Sequence, residues 1–170
     1  MHEDLLAQAR QLVELDPSRP RQANLRRAVS GAYYAMFHAL VDQACRMALG
    51  ARREDSPYRY VMGRAFSHGT MKLACASFAG GTLRASVAKG LPESFSIPSE
   101  VKAVADIFVR MQEQRHVADY DRTETFRRSN VLSAIGSVET ALAAFAGLPS
   151  SIEKRFFLSC LLTWNTLTQR

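Results

Sequence analysis

The stretch NLRRAVSGAYYAMFHAL, residues 24–40, is too apolar to form a helix with one solvent-exposed side. It contains no proline, and at about 100° per residue its apolar side chains fall on two sides of a helix. Leu25, Val29 and Met36 share one side, whereas Tyr34 and His38 lie on the other. A helix that is apolar on both sides is packed on both sides. We therefore expect it at the centre of a helical bundle.

A glycine in the middle of this helix, Gly31, indicates a close contact on its second side. Glycine costs roughly 1 kcal/mol relative to alanine in a helix interior. Its place next to Tyr34 suggests that another helix or a ligand approaches there. We expect His38, like the aromatic residues around it, to pack in the core. We expect His68, at a predicted kink, to have a structural role as well.

The rest of the chain shows helical periodicity and no good strand. Serine or aspartate followed three residues later by glutamate marks two further helix starts, at Asp121 with Glu124 and at Ser150 with Glu153, and Ser99 can cap the helix before them. The predicted helices cover residues 1–15, about 20–49, 58–78 with an interruption near His68, a segment from 99, 121–147 and a last one from 150. The fold class is therefore all-α, an up-and-down bundle of four long helices with one or two short ones.

Length and composition indicate one globular domain over residues 1–170, with 50–98 as a variable, loop-rich segment. Hydrophobic residues make up 47% of the chain and charged residues 22%, which is an ordinary globular balance. Cys45, Cys75 and Cys160 lack any ligand spacing and are expected to be buried free thiols in a reducing, cytoplasmic compartment. The longest apolar run, residues 156–164, is about half the roughly 20 residues that a bilayer requires, so no membrane association is expected.

A net charge of +6 permits binding to a polyanion without requiring it, because the arginines are dispersed along the chain. The second informative stretch is RHVADYD, residues 115–121. On a wheel centred on Phe108, Arg115 and Asp119 fall within about 60° of the apolar stripe, whereas Arg110 points about 160° away and His116 about 80°. Arg115 and Asp119 are four residues apart and can pair.

Two interpretations of this second stretch stay open. The Arg115–Asp119 pair can simply close one end of the bundle. Arginine, histidine and tyrosine near a helix end are also the groups that phosphate recognition and RNA cleavage require. Nothing in the spacing of carboxylates, histidines or cysteines indicates a metal site, and no cofactor motif is present.

At these residues the chain resembles the HEPN family of all-α domains that associate with nucleotides or RNA. The resemblance is carried by the Tyr-Tyr-Ala-x-Phe core of the first stretch and by the Arg-x-x-Ala-Asp-Tyr string of the second, which ends at Tyr120. It implies a bundle of four to six helices and frequent homodimerisation. In many members it also implies a metal-independent ribonuclease motif, an arginine followed after four to six residues by a histidine. Arg110 and His116, with five residues between them, fit that spacing.

The resemblance implies an endoribonuclease of the toxin or defence type that cleaves RNA through the 2′-hydroxyl. Arg110 and His116 would be catalytic, and Tyr34, Arg115, Asp119 and Tyr120 would bind substrate or shape the site. A homodimer would supply two histidines. The alternative is a non-catalytic dimerisation, nucleotide-binding or partner-binding module, for example for a nucleotidyltransferase-like antitoxin.

Overall fold

The computed structural model describes residues 1–169, in which it contains eight α-helices, one 3-10 turn and no strand. The predicted all-α bundle is confirmed, and four of its helices are long. The described residues hold four shorter helices, where one or two were expected, because the segment 50–98 forms three of them. The helices are α1 His2–Glu14, α2 Gln22–Leu49, α3 Ser56–Gly63, α4 His68–Ala79, α5 Ala85–Ala88, α6 Ser99–Tyr120, α7 Arg128–Gly147 and α8 Ile152–Thr168, with the 3-10 turn at Arg53–Asp55.

The chain divides into two compact units. The first comprises Met1–Ala39 and Ile107–Ala143, and the second comprises Leu40–Asp106 and the chain from Ala144 onward. Helices α2, α6 and α7 each contribute residues to both units. The six residues predicted from the sequence to be catalytic or to shape the site all belong to the first unit.

In the first unit, α2 packs against both α1 and α6. A Cβ atom added at Gly31 would lie 3.6 Å from the Cβ of Ala9, an ordinary van der Waals distance, so α1 packs on this side of α2 without the close approach that would require a glycine. On the α6 side, the rings of Tyr33 and Phe108 are 5.6 Å apart. Ser30 contacts Asp119, so α2 and α6 run antiparallel. The helix is packed on two sides, as its sequence predicts.

In the second unit, α4 packs along α8 through aromatic side chains. The ring of Phe78 lies 5.0 Å from that of Phe157 and 6.4 Å from that of Trp164. Lys154, in the first turn of α8, donates hydrogen bonds of 2.8 Å to the carbonyl oxygens of Phe145 and Leu148 at the end of α7. Cys45, Cys75 and Cys160 are free and buried, as expected.

Helix starts are where the sequence-based expectation fails. The helix predicted from Asp121 begins at Arg128 instead, and residues 121–127 form a loop. The Asp121 carboxylate accepts hydrogen bonds of 2.8 Å from the Thr123 amide and 2.7 Å from the Thr123 hydroxyl, so it stabilises a turn rather than a helix. The last helix is capped by Ser151, which accepts from the Lys154 amide, and not by Ser150. The interruption predicted near His68 is present, since α3 ends at Gly63 and α4 begins at His68.

One helix among residues 1–169, α7, is long and apolar enough to cross a membrane by length and composition. Of its most apolar window, 33% is buried inside the protein. A core helix of a soluble protein satisfies the same criterion, so α7 is weak evidence for a membrane span.

Candidate functional site

Arg115 is the centre of a polar cluster at the end of α6. Its Nε lies 2.7 Å from Oδ2 of Asp119, and the two side chains are only 20% and 25% exposed. Nε is enclosed and approaches the carboxylate as an ion pair rather than with hydrogen-bond geometry. The pairing expected from the four-residue spacing is therefore present. The other oxygen of Asp119 accepts a 2.6 Å hydrogen bond from the Ser30 hydroxyl of α2.

Two tyrosine rings flank the Arg115 guanidinium. Its Nη2 donates a 3.0 Å hydrogen bond to the Tyr34 hydroxyl. Its Cζ lies 5.6 Å from the centre of the Tyr34 ring and 5.7 Å from that of Tyr120. Burial opposes the charge of this group, but Tyr34 and Asp119 outweigh that effect and raise the pKa of Arg115. We call Ser30, Tyr34, Arg115, Asp119 and Tyr120 the Arg115 cluster.

His116 lies at the outer edge of the Arg115 cluster. Its ring is 4.9 Å from that of Tyr120, with an angle of 50° between the ring planes. His116 is exposed, and Tyr120 is exposed over 65% of its surface. An accessible imidazole therefore adjoins an accessible phenol ring and a fixed guanidinium on one helical end.

Arg110 is also exposed on α6, but it does not face the same point as His116. Their positions differ by six residues, which in a helix corresponds to about 9 Å along the axis and about 120° around it. Within one chain, the two residues predicted to be catalytic are therefore held apart. Arg115, which flanks the same Tyr120 ring as His116, is the arginine of α6 that lies beside this histidine.

His38 lies one helical turn beyond Tyr34 and is partly buried. Its ring stacks 6.4 Å from that of Tyr34 and meets the ring of Phe37 edge-on at 5.5 Å. Burial lowers the pKa of His38. These contacts are those of a packing residue, as its sequence context suggests.

Two residues that position the site could not be identified from the sequence. Arg26 donates hydrogen bonds to the carbonyl oxygens of Ala118 at 2.9 Å, Asp121 at 2.7 Å and Glu124 at 2.5 Å. The Gln22 side-chain amide forms two hydrogen bonds with the backbone of Phe126, each of 2.9 Å. Nothing in the sequence around Arg26 distinguishes it from the other dispersed arginines. Both side chains tie the end of α6 and the loop 121–127 to the start of α2.

A groove of about 390 Å³ lies beside this loop within the first unit. Val29, Val117 and Val131 form part of an apolar lining, and the carboxylates of Glu113 and Glu124 line it as well. None of the six residues nominated from the sequence lines this groove. His116 and Tyr120 are exposed on the protein surface, and the Arg115 cluster lies outside this groove.

Within residues 1–169, no group of three or more histidine, cysteine or carboxylate side chains is placed to hold a metal ion. Comparisons with protein-family models, with curated proteins and with solved structures found no match for this chain.

Proposed function

We propose that the protein is a HEPN-type, metal-independent endoribonuclease that acts as a homodimer. The observation that carries the proposal is the exposed His116 beside Tyr120 and the fixed Arg115 at the end of α6. Imidazole is the side chain best suited to proton transfer near neutral pH. The guanidinium offers hydrogen-bond donors and charge for a phosphate, and an exposed tyrosine ring offers a face for a base.

The chemistry would use the RNA as its own nucleophile. One His116 takes the proton of the 2′-hydroxyl, and the 2′-oxygen attacks the adjacent phosphorus. The bond to the 5′-oxygen breaks, and this oxygen receives a proton from a second, protonated His116. The products are a 2′,3′-cyclic phosphate and a 5′-hydroxyl. Arg110 or Arg115 would stabilise the negative charge that develops on the phosphorane.

The separation of Arg110 and His116 on one helix supports a role for a second copy. Two α6 helices brought together by a two-fold axis would place the histidine of one copy near the arginine of the other. Such a dimer also provides the two histidines that the two proton transfers require. We expect the cleaving species to be the dimer, with the toxin or defence role that the resemblance implies.

The test is incubation of the purified protein with total RNA in the presence of a chelator. We expect cleavage by the natural chain, loss of cleavage in His116→Ala, and retained cleavage in the matched variant His68→Ala. Analysis of the ends should find cyclic phosphates, and DNA should remain intact because it lacks the 2′-hydroxyl. Cleavage of DNA, or full activity in His116→Ala with an unchanged dimer, would contradict the proposal.

One observation favours a second candidate function. Arg115 is already neutralised by Asp119 and bonded to Tyr34, as in a residue that stabilises a bundle end. The protein would then be a non-catalytic dimerisation or nucleotide-binding module, for example the partner of a nucleotidyltransferase-like antitoxin. In that case the cleavage assay finds no activity, whereas dimerisation persists in both His116→Ala and Arg110→Ala.

A further inference from the structure

A second groove, of about 560 Å³, lies in the second unit and is formed by residues between 81 and 102. Volumes of about 300–1,000 Å³ are typical of small-molecule sites. Its apolar lining residues are half-buried, apart from the exposed Pro92, and they are Leu83, Ala88, Leu91, Pro92, Phe95 and Ile97. Because partly covered apolar side chains share one concave surface, the groove favours a ligand with an apolar body.

Backbone turns and an aromatic contact hold the apolar wall of this groove. The Leu91 amide donates a 3.0 Å hydrogen bond to the Ala88 carbonyl, and the Phe95 amide donates one of 2.9 Å to the Pro92 carbonyl. The ring of Phe95 meets the ring of Phe156 in α8 edge-on at 5.5 Å. The loop that forms the wall is therefore attached to a long helix of the same unit.

Lys102, in the first turn of α6, is the one charged residue among residues 1–169 that lines this groove. Its Nζ lies 3.4 Å from the position that a Cβ atom would take at Gly81, which is also a lining residue. Gly81 has a φ of +74°, where other residues are strained, and its missing side chain lets the ammonium group lie against the backbone. The ammonium group forms no hydrogen bond or ion pair with any residue from 1 to 169.

No carboxylate from residues 1–169 compensates this charge within the groove. Glu93, Glu100 and Asp106 are the acids nearest to Lys102 in the sequence, and none of them lines the groove. Glu100 accepts a 3.0 Å hydrogen bond from the Ser99 hydroxyl. The first turn of a helix is the positive end of its dipole, so a lysine there is unfavourable without an anion nearby. The groove therefore favours a ligand with a negative charge.

We infer that this groove, here called the Lys102 groove, binds an unbranched aliphatic monocarboxylate of medium chain length. The carboxylate pairs with the Lys102 ammonium group, and the alkyl chain lies on the apolar lining. Thr82 and Ser96 also line the groove and carry hydroxyl groups that can donate to the second carboxylate oxygen. A single cation matches a single negative charge, whereas a phosphate monoester carries nearly two.

A peptide terminus also ends in a carboxylate, but it fits this lining less well. Its amide groups would enter a mainly apolar groove, and buried amides without hydrogen-bond partners are unfavourable. An alkyl chain has no polar group besides its carboxylate. The inference goes beyond the proposed function, because the residues proposed for RNA cleavage belong to the first unit and the Lys102 groove belongs to the second.

The test measures binding of decanoate to the natural chain by isothermal titration calorimetry, with decanol and decyltrimethylammonium as neutral and cationic probes. We expect decanoate to bind most tightly. Lys102→Met keeps an apolar stem without the charge and should raise the Kd for decanoate by about tenfold or more, with the Kd for decanol unchanged. The matched control Lys89→Met removes an exposed lysine that lies outside the lining and should change neither Kd.

Charge reversal distinguishes the role of Lys102 from a general loss of structure. Lys102→Glu should lose affinity for decanoate and gain affinity for decyltrimethylammonium, because the apolar lining is retained while the charge changes sign. Circular dichroism should show the same helical content in this variant and the natural chain. A Lys102→Glu variant that still prefers decanoate would overturn the inference.

The apolar part of the groove is tested through chain length and by filling it. Each buried methylene contributes about fourfold to affinity, so octanoate should bind about 15-fold more weakly than decanoate. Ala88→Phe fills the groove and should weaken decanoate binding, whereas Ala85→Phe, at an exposed position of α5 outside the lining, should not. Equal affinity for the two chain lengths, or full affinity in Ala88→Phe, would contradict the proposed location of the alkyl chain.

Three further results would overturn the inference. The first is that the natural chain binds none of the three probes. The second is that decanol binds as tightly as decanoate, which would leave no role for the charge. The third is that a short peptide with an apolar C-terminal residue binds more tightly than decanoate and depends on Lys102, which would make a protein terminus the ligand.

Discussion

At the scale of single residues, Ser30 connects the Arg115 cluster to the core of the first unit. Ser30 is 2% exposed, and among residues 1–169 it is the one polar residue that is buried. Its hydroxyl faces Asp119, which in turn holds Arg115. The geometry of the surface guanidinium is therefore set by a buried hydroxyl on a neighbouring helix.

Replacing Ser30 with alanine should lower the free energy of unfolding by about 1.5 to 3 kcal/mol, as expected for a hydrogen bond to a charged group. The measurement is urea unfolding with an unchanged m-value. Ser159→Ala is the control, because the Ser159 hydroxyl only bonds to the carbonyl of Arg155 on the same exposed helical face. An equal, small effect in both variants would show that the Ser30–Asp119 contact contributes little.

His38 makes the stability of the protein depend on pH. Burial lowers its pKa in the folded state below the value of about 6.5 expected for the unfolded chain. As the pH falls through 6.5, the unfolded chain takes up the proton first, so this contribution to stability is complete above that pH and decreases below it. We expect His38→Gln to lose less stability than the natural chain between about pH 7.5 and pH 5.5, measured by urea unfolding. Equal losses would contradict this role for His38.

At the scale of elements, the end of α6 and the loop 121–127 depend on side chains from α2. Arg26→Ala removes the donors for the carbonyls of Ala118, Asp121 and Glu124 and should destabilise the protein by about 1.5 to 3 kcal/mol. Arg27→Ala, at the exposed neighbouring position, should change stability by less than about 0.5 kcal/mol. Hydrogen exchange should report faster exchange in residues 118–127 of the first variant only. Uniform exchange changes across both variants would argue against a specific anchor.

Gly31 lies within α2 and Gly50 directly follows it. Replacing each of them with alanine should change the stability of the protein in opposite directions. Gly31 has helical geometry, and a Cβ atom there would make ordinary contacts of 3.6 and 3.7 Å, so Gly31→Ala should stabilise the protein by up to about 1 kcal/mol. Gly50 has a φ of +88°, and its Cβ would lie 2.8 Å from Asp55, so Gly50→Ala should destabilise the protein by about 1 to 2 kcal/mol. Thermal unfolding of both variants checks the signs. A destabilised Gly31→Ala would mean that α1 is packed more tightly than these distances allow.

These elements show which parts of the fold can be predicted from a sequence. The apolar spacing of Val101, Val104 and Phe108 predicts the buried side of α6, because burial of that side depends on periodicity alone. The start of α7 could not be predicted, since Asp121 and Glu124 form a good local helix start that is overridden by distant contacts. Gln22 and Arg26, about 100 residues earlier in the chain, bind the backbone of residues 118–126 and hold it in a loop.

At the scale of the whole molecule, the three thiols should report on opening of the fold. Cys45, Cys75 and Cys160 are free and buried, and burial raises the pKa of Cys160 to about 12. Thiolate is the reactive form, so a thiol reagent should label the native protein slowly and all three cysteines rapidly in denaturant. The variants Ser30→Ala and Arg26→Ala should label faster than the natural chain if labelling requires global unfolding. Rapid labelling of one cysteine in the native natural chain would instead reveal local opening around it.

Only the parts of the candidate site that depend on local spacing along α6 could be predicted from the sequence. The four-residue spacing of Arg115 and Asp119 predicts their pairing, and the helical wheel places His116 at the edge of the apolar stripe. Arg110 and His116 have the predicted spacing but point about 120° apart around α6, because spacing along the sequence does not specify a common direction on a helix. The contacts of Tyr34 and Tyr120 with the guanidinium depend on how α2 and α6 are aligned along each other, which no local pattern specifies.

The hydrogen bonds from α2 to the loop 121–127 would hold this part of the protein together even if the polypeptide were cut there. Arg26 holds the carbonyls on the side of α6, and Gln22 holds Phe126 on the side of α7. A break in the polypeptide between these two anchors, for example after Arg122, would leave both new ends attached to the same helix. The protein could then be assembled from two separately made fragments, and the loop would be a natural place at which to divide it.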